Sequence, residues 1–128
     1  MSNSIIRPTR FINISLAGLW CYQGLIPKLI FTNSDEIAIW QVLSFTHHVA
    51  VFAVKASGIA EIIFGLCFLF FSFKFLHILN IAGLIGLFIL ITLLMPMQLT
   101  QAFNPVIMNF AMISLSTTYL MLSQQNKQ

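Results

Sequence analysis

The feature that most constrains this chain is a set of four apolar runs, residues 11–30, 49–73, 78–95 and 105–122. At 1.5 Å of rise per residue, each is long enough to cross a hydrocarbon core of about 30 Å, the last two only just. A backbone amide or carbonyl left unpaired in lipid is costly, so a crossing segment must be a helix or part of a closed barrel. The runs show no period-two alternation divided by hairpin turns, which removes the barrel. The sequence therefore predicts an all-α integral membrane four-helix bundle forming one transmembrane domain over residues 1–128. Composition agrees. Hydrophobic residues make up 59% of the chain, charged residues 7%, and the mean hydropathy is +0.93. A soluble fold of this size has too little interior for 13 phenylalanines and would expose them as adhesive patches.

The helix punctuation fits the same reading. Pro27 falls in the last turn of the first run and Pro96 closes the third, while Asn104-Pro105 reads as an N-cap followed by proline at the first helical position of the fourth. The sizeable connection is then residues 27–48. Within it Ser34 can cap a short helix with Asp35 and Glu36 in its first turn, and Ile37, Trp40, Leu43 and Ser44 recur at helical spacing. We read an interfacial helix over about residues 34–46 with Trp40 at the headgroup level. The competing reading makes this stretch the start of the second membrane helix.

Four crossings place both termini and the link at residues 72–77 on one side, together with Arg7, Arg10, Lys74 and Lys127; the other side sets Lys28 against Asp35 and Glu36. By the positive-inside pattern both termini face the cytoplasm, in a bacterial cytoplasmic (inner) membrane. The lipid bilayer is thus the first partner. No nucleic-acid partner is expected, because the six basic residues are spread over separate ends and form no stripe. Arg7 and Arg10 ahead of an apolar run look like the start of a secretory signal, but Leu19 and Trp20 precede Cys21 where cleavage needs small residues. The first helix is therefore read as a membrane span. Cys21 and Cys67 fall at different depths, which argues against a disulfide, and neither belongs to a paired metal spacing.

The polar residues inside the runs bear on function, because an ionised side chain at bilayer depth needs a partner or water. Glu61 lies near the middle of the second run. Lys55 is on the same helix, but six residues turn it about 120° away, so the two are not an i,i+4 pair. Ser57, Gly58, Glu61 and Gly65 share one stripe, and its small residues admit a neighbouring helix, so Glu61 should point into the bundle. Tyr22, Gln23 and Lys28 on helix one and Asn104 and Asn109 on helix four fall at similar depth. Together with Lys55 and Glu61 they predict a polar pocket in the outer half, open to the outer side, and they are the candidate ligand-binding residues.

Each candidate also has a plainer reading. Glu61 and a lysine can form a buried pair that only fixes helix packing. Lys28 and Lys55 can snorkel to the interface, and Asn109 can serve as helix-to-helix glue. His47 and His48 are adjacent and point about 100° apart on a helix, while His77 is on the opposite side of the membrane at a helix end, so no metal or haem site is expected. The chain has no glycine-rich phosphate loop, nucleophile elbow or paired-cysteine motif, and no catalytic residue stands out.

The segment GLWCYQGLIPK at 18–28, followed by Glu36, then Gly58, Glu61 and Gly65, with Pro96, Phe103-Asn104-Pro105 and Asn109 further on, resembles the DoxX-like family of small four-helix membrane proteins. The family takes its name from a membrane subunit of a thiosulfate:quinone oxidoreductase, and most members have no assigned activity. The resemblance implies a quinone- or redox-linked membrane subunit whose cofactor would be a bound quinone and whose partner would be an oxidoreductase, since no redox cofactor site is visible in the chain itself. Two further readings stay open: a small proton-coupled transporter acting as a homo-oligomer, in which Glu61 titrates, and a structural membrane anchor for a partner complex.

Overall fold

A computed structural model describes residues 3–125. The elements are α1 Asn3–Gly24, a π-helical turn Leu25–Ile30, α2 Ser34–Val42, α3 His47–Phe70, α4 Lys74–Leu94, a 3-10 segment Pro96–Thr100 and α5 Pro105–Gln125. No strand occurs among the described residues. Lys127, one of the charges in the orientation argument, lies outside them.

The all-α membrane architecture holds. Helices α3, α4 and α5 are each long and apolar enough to cross a membrane. The segment Asn3–Ile30 with Ser34–Val42, bent by 84° at the break between them, adds a fourth crossing if the pair is one span. Large apolar side chains such as Phe52, Phe70, Phe75 and Leu93 stand outward. In water that surface would be a liability, whereas lipid solvates it.

Packing divides the chain into two units. One holds the residues up to Ile14 and those from Ser72 onward; the other is Ser15–Phe71. In the first, α4 packs along α5 around Leu84, Ile91, Val106, Met112 and Tyr119. In the second, the π-helical turn and α2 both pack on α3. The second half of α1 meets α3 through small residues. A Cβ at Gly65 would lie 2.8 Å from the Trp20 Cβ and 3.0 Å from the Ala17 carbonyl oxygen, so only glycine permits this approach. Trp20 then stacks edge-on against Phe64, at 5.2 Å between ring centres, and Phe64 against Phe68 at the same separation.

Several boundaries differ from those read off the sequence, each for a local reason. Helix α1 is already helical from Asn3, the first described residue, ahead of the apolar run at residue 11; Arg7 and Arg10 are exposed on it and the Thr9 hydroxyl donates to the Ile5 and Ile6 carbonyls. The short helix is capped by Asn33 and not Ser34: the Asn33 Oδ1 accepts from the Asp35 amide at 2.9 Å. It stops at Val42 rather than near residue 46, because the chain turns through positive φ at Ser44, 71°. The link between α3 and α4 is only residues 71–73, so His77 lies in the first turn of α4 and not in the link. At α5 the expected cap is present, the Asn104 Oδ1 accepting from the Val106 and Ile107 amides at 3.1 and 3.3 Å.

Candidate functional site

The site is assembled in the second unit from the glycine face of α3. A Cβ at Gly58 would lie 2.7 Å from the Gly24 carbonyl oxygen and 2.9 Å from the Lys28 Cβ. The missing side chain is therefore the space that lets the Lys28 stem lie across α3. Glu61 is three residues further on, one turn along the same face, and the ammonium reaches it. The π-helical turn helps to aim Lys28. Pro27 has no amide hydrogen and its ring disfavours a regular α-helical turn, so the helix widens here and every residue after Gly24 is rotated from its α-helical position.

Lys28 Nζ donates to Glu61 Oε1 at 2.6 Å, to Glu36 Oε2 at 3.1 Å and to Ser57 Oγ at 3.5 Å. An ammonium has three donors, and all three are taken. Ser57 in turn donates to the Val54 carbonyl at 2.8 Å. The side chains of Lys28 and Glu61 are 13% and 15% exposed, and that of Glu36 27%. The other Glu61 oxygen, Oε2, is buried with no hydrogen-bond partner. Two carboxylates thus share one ammonium, and one carboxylate oxygen remains available as an acceptor in a place where leaving it unmade is costly.

Of the predicted site residues, Glu61 and Lys28 come together, joined by Glu36 and Ser57. Tyr22 is 59% exposed, and neither it nor Gln23 bonds to Glu61. Lys55 is exposed, as its position on the far side of α3 requires. Asn104 and Asn109 belong to the other unit. There Asn104 is the α5 cap, also donating to the Gln101 carbonyl at 2.8 Å. Asn109 is buried beside a cavity of about 30 Å³ lined by Leu84, Ile85, Phe88 and Val106.

The sequence reading did not anticipate a second polar cluster, which lies in the first unit. His77, fully buried, places Nε2 3.0 Å from Asn13 Oδ1 and Nδ1 3.1 Å from Ser116 Oγ. The Asn13 oxygen only accepts, so Nε2 carries the hydrogen and Nδ1 accepts from the Ser116 hydroxyl. Ser116 accepts from Asn80 at 2.8 Å, Asn13 donates to Ser72 Oγ at 3.3 Å, and Tyr119 stacks on the imidazole with ring centres 3.7 Å apart. The Tyr119 hydroxyl donates to the Ser72 carbonyl at 3.1 Å, satisfying the short link. A signal was present in the sequence: Asn109, Met112, Ser116, Tyr119 and Ser123 recur at spacings of three and four on α5, and Asn80 stands one turn from His77.

The profile of the DoxX-like family matches residues 17–117, a span that takes in the Lys28 cluster and most of α5. The chain belongs to the DoxX-like family. No curated protein and no solved structure matches it. For this member of the family, the glycine approach of Gly24 to Gly58 is what brings the ion pair together, which makes it testable. Gly58→Ala should cost about 1–3 kcal/mol, because the new methyl meets backbone rather than a flexible side chain. Gly83→Ala, where a Cβ meets nothing within 4 Å, should be neutral or raise stability by about 0.5–1 kcal/mol through helix propensity. Unfolding in mixed micelles followed by loss of helical circular dichroism would measure both.

Proposed function

We propose that this DoxX-like membrane protein exchanges protons at the Lys28, Glu61 and Glu36 cluster, and that the exchange is coupled to movement of a small solute. The observation behind the reading is the charge count together with the free oxygen. With both carboxylates ionised the cluster bears one negative charge in excess, inside a region where an uncompensated charge is expensive. Glu61 Oε2 is the atom at which a proton would relieve that excess. Loss of the proton returns the carboxylate to Lys28, so the two states differ by one proton and by how tightly Lys28 is held.

The quinone that the family resemblance implies fits these residues less well. A quinone carbonyl needs a donor, and Lys28 has none to spare. The cavity between α4 and α5 has room for a water or two and not for a ring. The orientation in this proposal, with both termini cytoplasmic, rests on the charges of Arg7, Arg10, Lys74 and Lys127.

Difference infrared titration of the protein in lipid tests the central claim without knowledge of the solute. A carboxylic C=O band should appear as the pH falls, vanish in Glu61→Gln and persist in Asp35→Asn. If Glu61→Gln leaves the titrating band unchanged, Glu61 does not exchange a proton and the reading fails.

A further inference from the structure

We propose that α2 is a lid over the Lys28–Glu61 pair, latched shut by the ion pair between Glu36 and Lys28; this deepens, and rests on, the reading of that pair as the working site. Glu36 is the group that ties the two together. It is on the first turn of α2, and its Oε2 lies 3.1 Å from the same Nζ that binds Glu61. The rest of α2 lies against α3 without being sealed: Ile37, Ala38, Ile39 and Trp40 are half-buried and no residue from Ser34 to Val42 is fully buried, so the apolar area that opposes its departure is less than a core helix would bury.

The helix is built to move as one piece. Asn33 caps it, the Asn33 Oδ1 accepting from the Asp35 amide, so its first turn is held by a bond that travels with the helix. On either side the chain passes through a non-glycine residue at positive φ, Thr32 at 45° and Ser44 at 71°. For a β-branched threonine such a conformation is strained, by about 1–3 kcal/mol, and rotation at that residue during opening would release the strain. Conformational change concentrated at two element-terminal residues is how hinged elements move. Opening would carry Glu36 away, leave Lys28 with Glu61 and Ser57 alone, and bring Glu61 Oε2 into contact with water. Closing would return the second carboxylate and shield the site. In this scheme the lid decides when Glu61 can exchange, and Lys28 is the part that senses it.

The test uses the full chain in proteoliposomes, with Cys21→Ala and Cys67→Ala, and a single cysteine introduced by Ser57→Cys beneath the lid. Labelling by a membrane-impermeant maleimide reports access. Glu36→Gln should raise the rate by about tenfold or more, the shift in open population expected from losing one charge-assisted bond. Glu36→Asp, which keeps the charge but shortens the reach by one carbon, should give an intermediate rate, and Asp35→Asn should leave it unchanged. Acrylamide quenching of Trp40 in a Trp20→Phe background gives a second readout and should rise in Glu36→Gln. The lid is overturned if neither labelling nor quenching changes in either Glu36 variant, even where the infrared band of Glu61 titrates. If Glu36 variants open the site but Glu61 does not titrate, the lid stands and the proton reading fails.

Discussion

Glu61→Leu should destabilise the protein by about 3 kcal/mol, the lower part of the range for breaking a buried ion pair. The lower part is appropriate because Lys28 keeps a second partner. With Glu61 gone, Nζ still has Glu36 at 3.1 Å and Ser57 at 3.5 Å, so the ammonium is weakened in its contacts and not stranded. Glu61→Gln should cost far less, about 1 kcal/mol, since an amide oxygen can still accept from Lys28 and only the charge is lost. The distinctive expectation is in the double change. Adding Glu36→Gln to Glu61→Leu removes both carboxylates, and the combined loss should exceed the sum of the two single losses by about 0.5–3 kcal/mol, as is usual for residues sharing one partner. Unfolding in mixed micelles measures all of these. Simple additivity would mean that Lys28 draws its stability from elsewhere, and the shared-ammonium picture would then be wrong.

How far the sequence foretold this site depends on which helix is considered. On α3 the stripe of Ser57, Gly58, Glu61 and Gly65 was legible, because a straight α-helix keeps residues three and four apart on one face and small residues mark close approach. On α1 the same arithmetic stops at Gly24. A 3.6-residue repeat already turns Lys28 about 120° from Tyr22 and about 140° from Gln23, so the three do not share a face, and the π-helical turn then changes the rotation per residue, so that the side on which Lys28 meets Glu61 is not given by that repeat. In the sequence Glu36 stands as a charge in the first turn of a surface helix, on the same side as Lys28, and as one position of the family resemblance, but not as a member of the pocket. Its arrival at Lys28 depends on the 84° bend after Ile30, and a bend of that kind is set by two or three backbone angles which no periodicity records.

The ends of helices were the other weak point. The third apolar run starts at residue 78, after Lys74 and His77, and hydropathy alone treats such polar side chains as an exit from the membrane. In the structure Lys74 reaches the Ser123 carbonyl at 3.4 Å while His77 turns inward among Asn13, Ser116 and Tyr119. A polar residue that finds partners is compatible with a helix interior, but the partners come from α1 and α5, far away in sequence. Asn104 shows the opposite case. Its cap is a contact within three residues, so the dipeptide Asn104-Pro105 was enough to expect it.

The cluster that went unread should be as consequential as the one that was read, and His77→Leu is its test. An average membrane hydrogen bond is worth about 0.6 kcal/mol by double-mutant cycles, so two lost bonds alone would amount to little more than 1 kcal/mol. His77 should exceed this for two reasons. It is fully buried, so the Asn13 oxygen is left without its donor and cannot turn to water, at about 1–3 kcal/mol for an unmet buried group. The stack on Tyr119 is also lost, about 0.5–1.5 kcal/mol more, and that ring anchors the α3–α4 link through Ser72. A total of about 3 kcal/mol follows. The control is Asn13→Leu in the same background: with both partners apolar the unmet oxygen disappears, and part of the loss should return. In ¹⁵N spectra of the parent protein, His77 should show its hydrogen on Nε2, the tautomer that Asn13 and Ser116 select. A His77→Leu variant as stable as the parent, or an imidazole protonated at Nδ1 alone, would mean that this network does not hold α1, α4 and α5 in register.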